Sequence, residues 1–165
     1  MSKHYWEIDP GKFANINPQN FKSYLKLCGK ILWARKTDSD IGGVYYNSKP
    51  IQLGNDRGCK TPIINISVLY MQFNGFKENS YEAFNIDVKS KGFFSCNTGE
   101  KDYDIFVVAC LIALKRLFLS EVKINSDSSL NKLKPGLNLY NTVVKNEGMN
   151  GFSVNTETLK IWLKQ

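Results

Sequence analysis

The sequence predicts an α+β fold: an antiparallel sheet of about four to six strands packed on one buried central helix, with smaller peripheral helices. Three observations predict it. The run Ile105 to Leu114 is apolar on every side, as only an enclosed helix can be. Several short runs alternate apolar and polar residues with period two and are bounded by Gly, Pro and Asn. At 165 residues, 42% hydrophobic and 13% aromatic, the chain has the size of one domain and enough apolar surface to bury a core. No repeat, low-complexity tract or linker divides it, so residues 1–165 are read as a single domain.

Asn17-Pro18 reads as an N-cap followed by proline at the first helical position, and Phe21, Tyr24, Leu25, Cys28 and Ile31 recur at helical spacing, so a helix is expected over 18 to 34, weakened by Gly29. Val44-Tyr45-Tyr46 and Ile51-Gln52-Leu53 read as strands flanking Asn47-Ser48-Lys49-Pro50. The β-branched and aromatic run Ile63 to Phe73 reads as one long strand. Ala83 to Val88 and Phe93 to Asn97, joined by Lys89-Ser90-Lys91-Gly92, read as a hairpin. Asp102 to Leu119 is the central helix, with acids at its start and Lys115-Arg116 near its end, as the helix dipole favours. Val122 to Ser126 reads as a short strand, Gly136 to Asn146 as a helix ended by Gly148, and Thr156 to Lys164 as a helix capped by Asn155.

The charge is 22 Lys+Arg against 15 Asp+Glu, hence +7, and 19 of the 22 cations are lysine. Lysine is a point charge without the planar fork that reads bases and clamps phosphates, so this balance suits diffuse attraction to an anionic partner. Lysines interleave with aromatics in Phe21-Lys22-Ser23-Tyr24-Leu25-Lys26 and in Trp33-Ala34-Arg35-Lys36, a pattern that fits an amphipathic helix better than a stacking platform. The single histidine, His4, argues against a histidine base or a histidine metal site. Cys28, Cys59, Cys96 and Cys110 lack zinc-site spacing and sit in or beside apolar runs. With no signal peptide before them, they are expected to be reduced thiols in a cytoplasmic protein. The longest apolar run is too short to span a membrane, and no membrane partner is expected.

Lys101-Asp102-Tyr103-Asp104, at the start of the central helix, is the first candidate site. Free N–H groups there favour an anion, with Lys101 and Tyr103 facing a phosphate or base and Asp104 orienting them. The same residues also read as a helix start anchored by a buried tyrosine. In Asn55-Asp56-Arg57-Gly58-Cys59-Lys60-Thr61-Pro62, turn formers surround Arg57 and Lys60, either as an anion loop or as a solvated turn. Thr37-Asp38-Ser39-Asp40-Ile41-Gly42-Gly43 lacks the ligand spacing of a calcium loop and reads as a turn. Asp38, Asp40, Asp56, Glu82, Asp87 and Asp104 are numerous enough for a magnesium nuclease site, without visible pairing. No cofactor is indicated.

Gln72-Phe73-Asn74-Gly75, Tyr81-Glu82-Ala83-Phe84, Gly92-Phe93-Phe94-Ser95-Cys96-Asn97-Thr98 and Lys101-Asp102-Tyr103-Asp104, with Val108 and Leu111, resemble in order a family of small uncharacterised proteins of bacteriophages and large DNA viruses. Ser126-Asp127-Ser128-Ser129 departs in order from that family's Ser-Ser-Asp element, and its arginine before the lysine is absent. The resemblance implies a viral origin. With the small size and basic charge, it leads to the expectation of an accessory binding protein that inhibits a host defence system through a protein–nucleic-acid effector or a nucleotide signal. The alternatives are a metal-dependent nuclease or phosphoesterase, and a virion or scaffold protein.

Overall fold

Asn17 starts the first helix in the predicted way: its side chain accepts the Gln19 N–H at 2.8 Å, and Pro18 follows where no N–H is needed. The computed structural model describes residues 2–9, 17–34, 45–46, 49–89 and 91–164. In chain order the strands are β1 (Lys3–Ile8), β2 (Tyr45–Tyr46), β3 (Lys49–Pro50), β4 (Leu53–Gly54), β5 (Ile63–Asn65), β6 (Tyr70–Gly75), β7 (Phe84–Asp87), β8 (Gly92–Asn97) and β9 (Val122–Ser126). The helices are α1 (Pro18–Trp33), α2 (Asp104–Phe118), α3 (Leu130–Asn146) and α4 (Thr156–Leu163).

The α+β class stands, with the strands divided between two antiparallel sheets. One has the order β8-β1-β9; the other is β4-β6-β5 with β7 also on β6. Strands β2 and β3 form a separate pair. Trp6 on β1 ties the sheets together, its ring 5.0 Å from Phe84 on β7 and 5.8 Å from Phe94 on β8. Helix α2 is the core: Phe106 through Lys115 are all buried. Phe21 and Tyr24 of α1 pack on Phe118, and the Tyr24 hydroxyl donates to the Cys110 carbonyl at 3.2 Å. The buried Lys115 ammonium closes the helix by donating to the Leu119 and Val122 carbonyls at 2.8 and 2.7 Å, which satisfies carbonyls at the negative end of the dipole.

Four local readings change. Lys49–Pro50, read as part of the segment between two strands, is itself a strand, paired with Tyr45–Tyr46. Ile63 to Phe73 is two strands, because the Asn65 side chain accepts the Ser67 and Val68 N–H groups and turns the chain, with Leu69 at φ 53°. The predicted hairpin does not form: β7 pairs with β6 and β8 with β1, so the turn at Lys89 carries the chain from one sheet to the other. Turn chemistry sets a bend, but partners are chosen by burial, and Phe84 and Ile86 match Phe73 and Met71 across the ladder. Helix α3 begins at Leu130 and runs through Pro135, forgoing one backbone bond, while Leu133 is buried in the added turns. The Thr37–Gly43 segment lies outside the described residues.

Candidate nucleic-acid interface

The residues that carry the family resemblance form a joint between the sheets and α2. The Asn74 side chain accepts from the Gly75 and Tyr81 N–H groups at 2.8 and 3.0 Å and donates to the Tyr81 carbonyl at 2.9 Å. Glu82 accepts the Asn97 N–H with its carboxylate at 2.7 Å, and its carbonyl accepts the Tyr103 hydroxyl at 2.7 Å. Tyr103 has no exposed surface, and burial pushes its phenol well above the ordinary range, with the charges of Asp104 and Glu82 adding to the rise. Gly75 beside it is obligatory, since a Cβ there would lie 1.9 Å from the Asn79 carbonyl oxygen. These residues have structural partners inside the protein.

Asp104 is engaged in a chain of side-chain contacts. It accepts from the Thr98 hydroxyl and meets His4 Nε2 at 2.6 Å, and His4 Nδ1 faces the Ser126 hydroxyl at 2.9 Å. His4 is 1% exposed and sits opposite Ser126 in the β1–β9 register. His4, expected from the sequence to be neither a base nor a metal ligand, is carried by β1 into the interior, between a carboxylate and a hydroxyl.

The remaining predicted residues lie apart from this joint. Arg57 and Lys60 are exposed at the turn after β4, where Gly58 takes φ 74°. The turn uses its own donors: Arg57 and Cys59 N–H go to the Asn55 side chain, Gly58 N–H to the Asn55 carbonyl, and Asp56 N–H to Gln72. A phosphate cradle needs those N–H groups turned outward. Lys60 and Lys77 instead hold their ammonium groups 5.4 and 5.5 Å from the Phe76 ring centre. Lys101 is half-buried, before α2, with its N–H on the Thr98 carbonyl. Among the described residues, no three of His, Cys, Asp and Glu gather as a metal-binding group.

A different surface gathers aromatic and cationic side chains. On β1, His4, Trp6 and Ile8 face inward, which leaves Lys3, Tyr5 and Glu7 on the outer face of the three-stranded sheet. Their register partners there are Phe93, Ser95 and Asn97 on β8 and Lys123 and Asn125 on β9. Phe93 is 68% exposed, and its ring centre is 5.7 Å from that of Tyr5 at an interplanar angle of 31°. Lys3 Nζ lies 5.5 Å from the Tyr5 ring centre. A shallow depression of about 130 Å³ opens among Tyr5, Glu7, Phe93, Lys123 and Asn125. Phe93 thus holds a large apolar ring in solvent, with Glu7 as its register partner and Lys123 across from Glu7 on β9. The sequence signal was the alternation of Lys3 to Ile8, hidden because an inward position carries histidine.

No family model, curated protein or solved structure matches this chain.

Proposed function

We propose that this chain is an accessory binding protein of viral origin that takes a nucleic-acid strand on the outer face of the β8-β1-β9 sheet, the strand being the nucleic acid of a host defence effector. The observation that carries the ligand reading is the exposed Phe93 ring beside Tyr5, with Lys3 and Lys123 on the same face. Every base has a π-face, so ring stacking binds single strands with little sequence preference, and lysines draw in the backbone without reading it. That division of labour fits a basic chain whose cations are nearly all lysine. A duplex hides its base faces and offers this surface only its phosphates.

The viral and defence parts of the reading are supported by the resemblance carried by residues 72 to 111, together with the small size and basic charge. Arg57, Lys60 and Lys101 contribute positive charge from two other loops. A nucleotide signal offers the same ring-and-phosphate chemistry in a smaller ligand.

Labelled single-stranded DNA and RNA, duplexes and cyclic nucleotides, titrated against the protein, test this reading. Single strands should bind more tightly than duplexes of equal length. Replacing Phe93 and Tyr5 with Ala should remove ~1–3 kcal/mol per stacked base. Equal binding by the doubly substituted protein would overturn the assignment of this face.

A further inference from the structure

His4 and Ser126 stand opposite one another on neighbouring strands, and with Asp104 they form a continuous hydrogen-bonded line independent of the outer sheet face. A carboxylate only accepts, so in the neutral imidazole Nε2 carries the proton and donates to Asp104 at 2.6 Å. Nδ1 is then an acceptor, and the Ser126 hydroxyl donates to it at 2.9 Å. This direction of donation, hydroxyl to imidazole and imidazole to carboxylate, is that of a serine nucleophile with its general base and orienting acid. The ring nitrogens are exchanged relative to the commoner arrangement, in which Nε2 faces the hydroxyl; either nitrogen serves as base when the other holds the proton.

The surroundings support the same role. Asp104 is held by Thr98 as well as by His4, and His4 is enclosed at 1% exposure, so the base has one orientation. Ser126 keeps part of its surface in solvent. Its oxygen also accepts the Ser128 N–H at 3.0 Å, a donor that favours negative charge developing on that oxygen. Beside His4 and Ser126 is an apolar cavity of about 20 Å³, walled by Val108, Leu111, Leu133 and Leu159. That space is about the size of one water, which limits the group entering it to a methyl.

We propose that Ser126 is a nucleophile activated by His4, with Asp104 as the positioning residue, and that the site takes esters of very short, uncharged acyl groups, acetyl above all. In the first step Ser126 Oγ bonds to the carbonyl carbon as its proton passes to His4 Nδ1. The imidazolium is held at Nε2 by Asp104. The tetrahedral adduct then expels the alcohol oxygen, which takes the proton from Nδ1. Water repeats the sequence on the acyl-serine: its proton goes to Nδ1, its oxygen bonds to the carbonyl carbon, and Ser126 leaves with the proton returned. The net change is ester plus water to carboxylic acid plus alcohol.

The test uses the whole chain with a fluorophosphonate probe, which phosphonylates an activated serine with loss of fluoride, and with 4-nitrophenyl acetate. Tandem mass spectrometry of the unsubstituted protein should find one adduct, on Ser126, formed rapidly when folded and lost when the protein is denatured before exposure. Ser126→Ala should reduce acetate release to that of the denatured chain, while Ser67→Ala, on an exposed turn, should leave it unchanged. Asp104→Asn, checked for folding by denaturant titration, should slow labelling by about 100-fold or more, the size of a general-base contribution. Absence of an adduct on Ser126, equal labelling of folded and denatured protein, or unchanged labelling in folded Asp104→Asn would each overturn the proposal. The adduct on the unsubstituted chain decides the matter even if a substituted chain fails to fold.

Discussion

Gly136 of α3 lies directly on Val108 of α2: a Cβ on Gly136 would stand 2.5 Å from the Val108 Cβ and 3.0 Å from the Ile105 carbonyl oxygen. The two helices approach this closely because one of them has no side chain at the crossing. Gly29 in α1 is the opposite case, since a Cβ there would meet only the Ile64 Cδ1, at 3.6 Å.

Alanine at these two positions should therefore act in opposite directions. Gly136→Ala should destabilise by ~1–3 kcal/mol through overpacking, more than its better helix propensity returns. Gly29→Ala should stabilise by ~0.5–1 kcal/mol, because it gains propensity without a clash. Reversible denaturant titrations with unchanged slope read both; a stabilising Gly136→Ala would mean that the helices do not cross there.

Leu111 is 4% exposed at the centre of α2. Leu111→Ala should cost ~2–5 kcal/mol from lost burial and the cavity left behind. A loss below ~1 kcal/mol would place this helix at a surface.

Tyr103→Phe separates the two sequence readings of the Lys101–Asp104 segment. It removes the hydroxyl that reaches the Glu82 carbonyl at 2.7 Å and should cost ~1–3 kcal/mol of stability while strand binding stays as in the parent. Lost binding at unchanged stability would restore a ligand role for Tyr103.

The cysteines make a pH prediction. Cys28, Cys96 and Cys110 are buried and Cys59 is exposed, all as free thiols. One thiol should react quickly in the native protein and four after denaturation. Burial, with the charges of Glu82 and Asp104, pushes Cys96 from 9.0 up to about 12. Burial beside Cys28 raises Cys110 well above its ordinary value. An unfolded chain ionises these thiols first, so it binds fewer protons than the native state above pH 9.0. Stability from this source is complete below that pH and should fall as pH rises toward about 12. Cys96→Ala should flatten the decline in a pH series of unfolding titrations.

What could be read in the sequence was what local chemistry decides. Asn17 and Asn155 cap α1 and α4, accepting from Gln19 and Thr158, because an Asn side chain and a free N–H need nothing distant. The enclosure of α2 was equally plain, since an all-round apolar segment can be stable only inside. Strand β1 was not legible, because His4 occupies an inward position that reads as polar until Asp104 and Ser126 are brought to it from far along the chain. The change of sheet between β7 and β8 was hidden for the same reason: a turn fixes a bend, and pairing with β1 is a long-range event. Tyr103 and Asp104 stand out in the sequence as a constellation, but the partners that turn them inward, Glu82, Thr98 and His4, come from other parts of the chain.

Salt dependence separates the parts of the proposed strand-binding face. Each lysine that neutralises a phosphate releases a counterion, so log K should fall linearly with log salt, with a slope of about −0.7 per phosphate for a single strand. Lys123→Ala and Lys3→Ala should each make the slope shallower by about that amount. Lys3 has a second role, because its ammonium lies 5.5 Å from the Tyr5 ring centre and helps to orient it. Its removal should therefore weaken binding even at high salt, where Lys123→Ala approaches the parent. Phe93→Ala should lower affinity by the same factor at every salt concentration, because stacking on a ring 68% exposed releases no ions. The joint replacement of Arg57, Lys60 and Lys101 with Ala decides whether the loops touch the strand. A slope unchanged at matched salt would assign their charge to long-range attraction, whereas a slope shallower by about two units would bring all three onto the backbone.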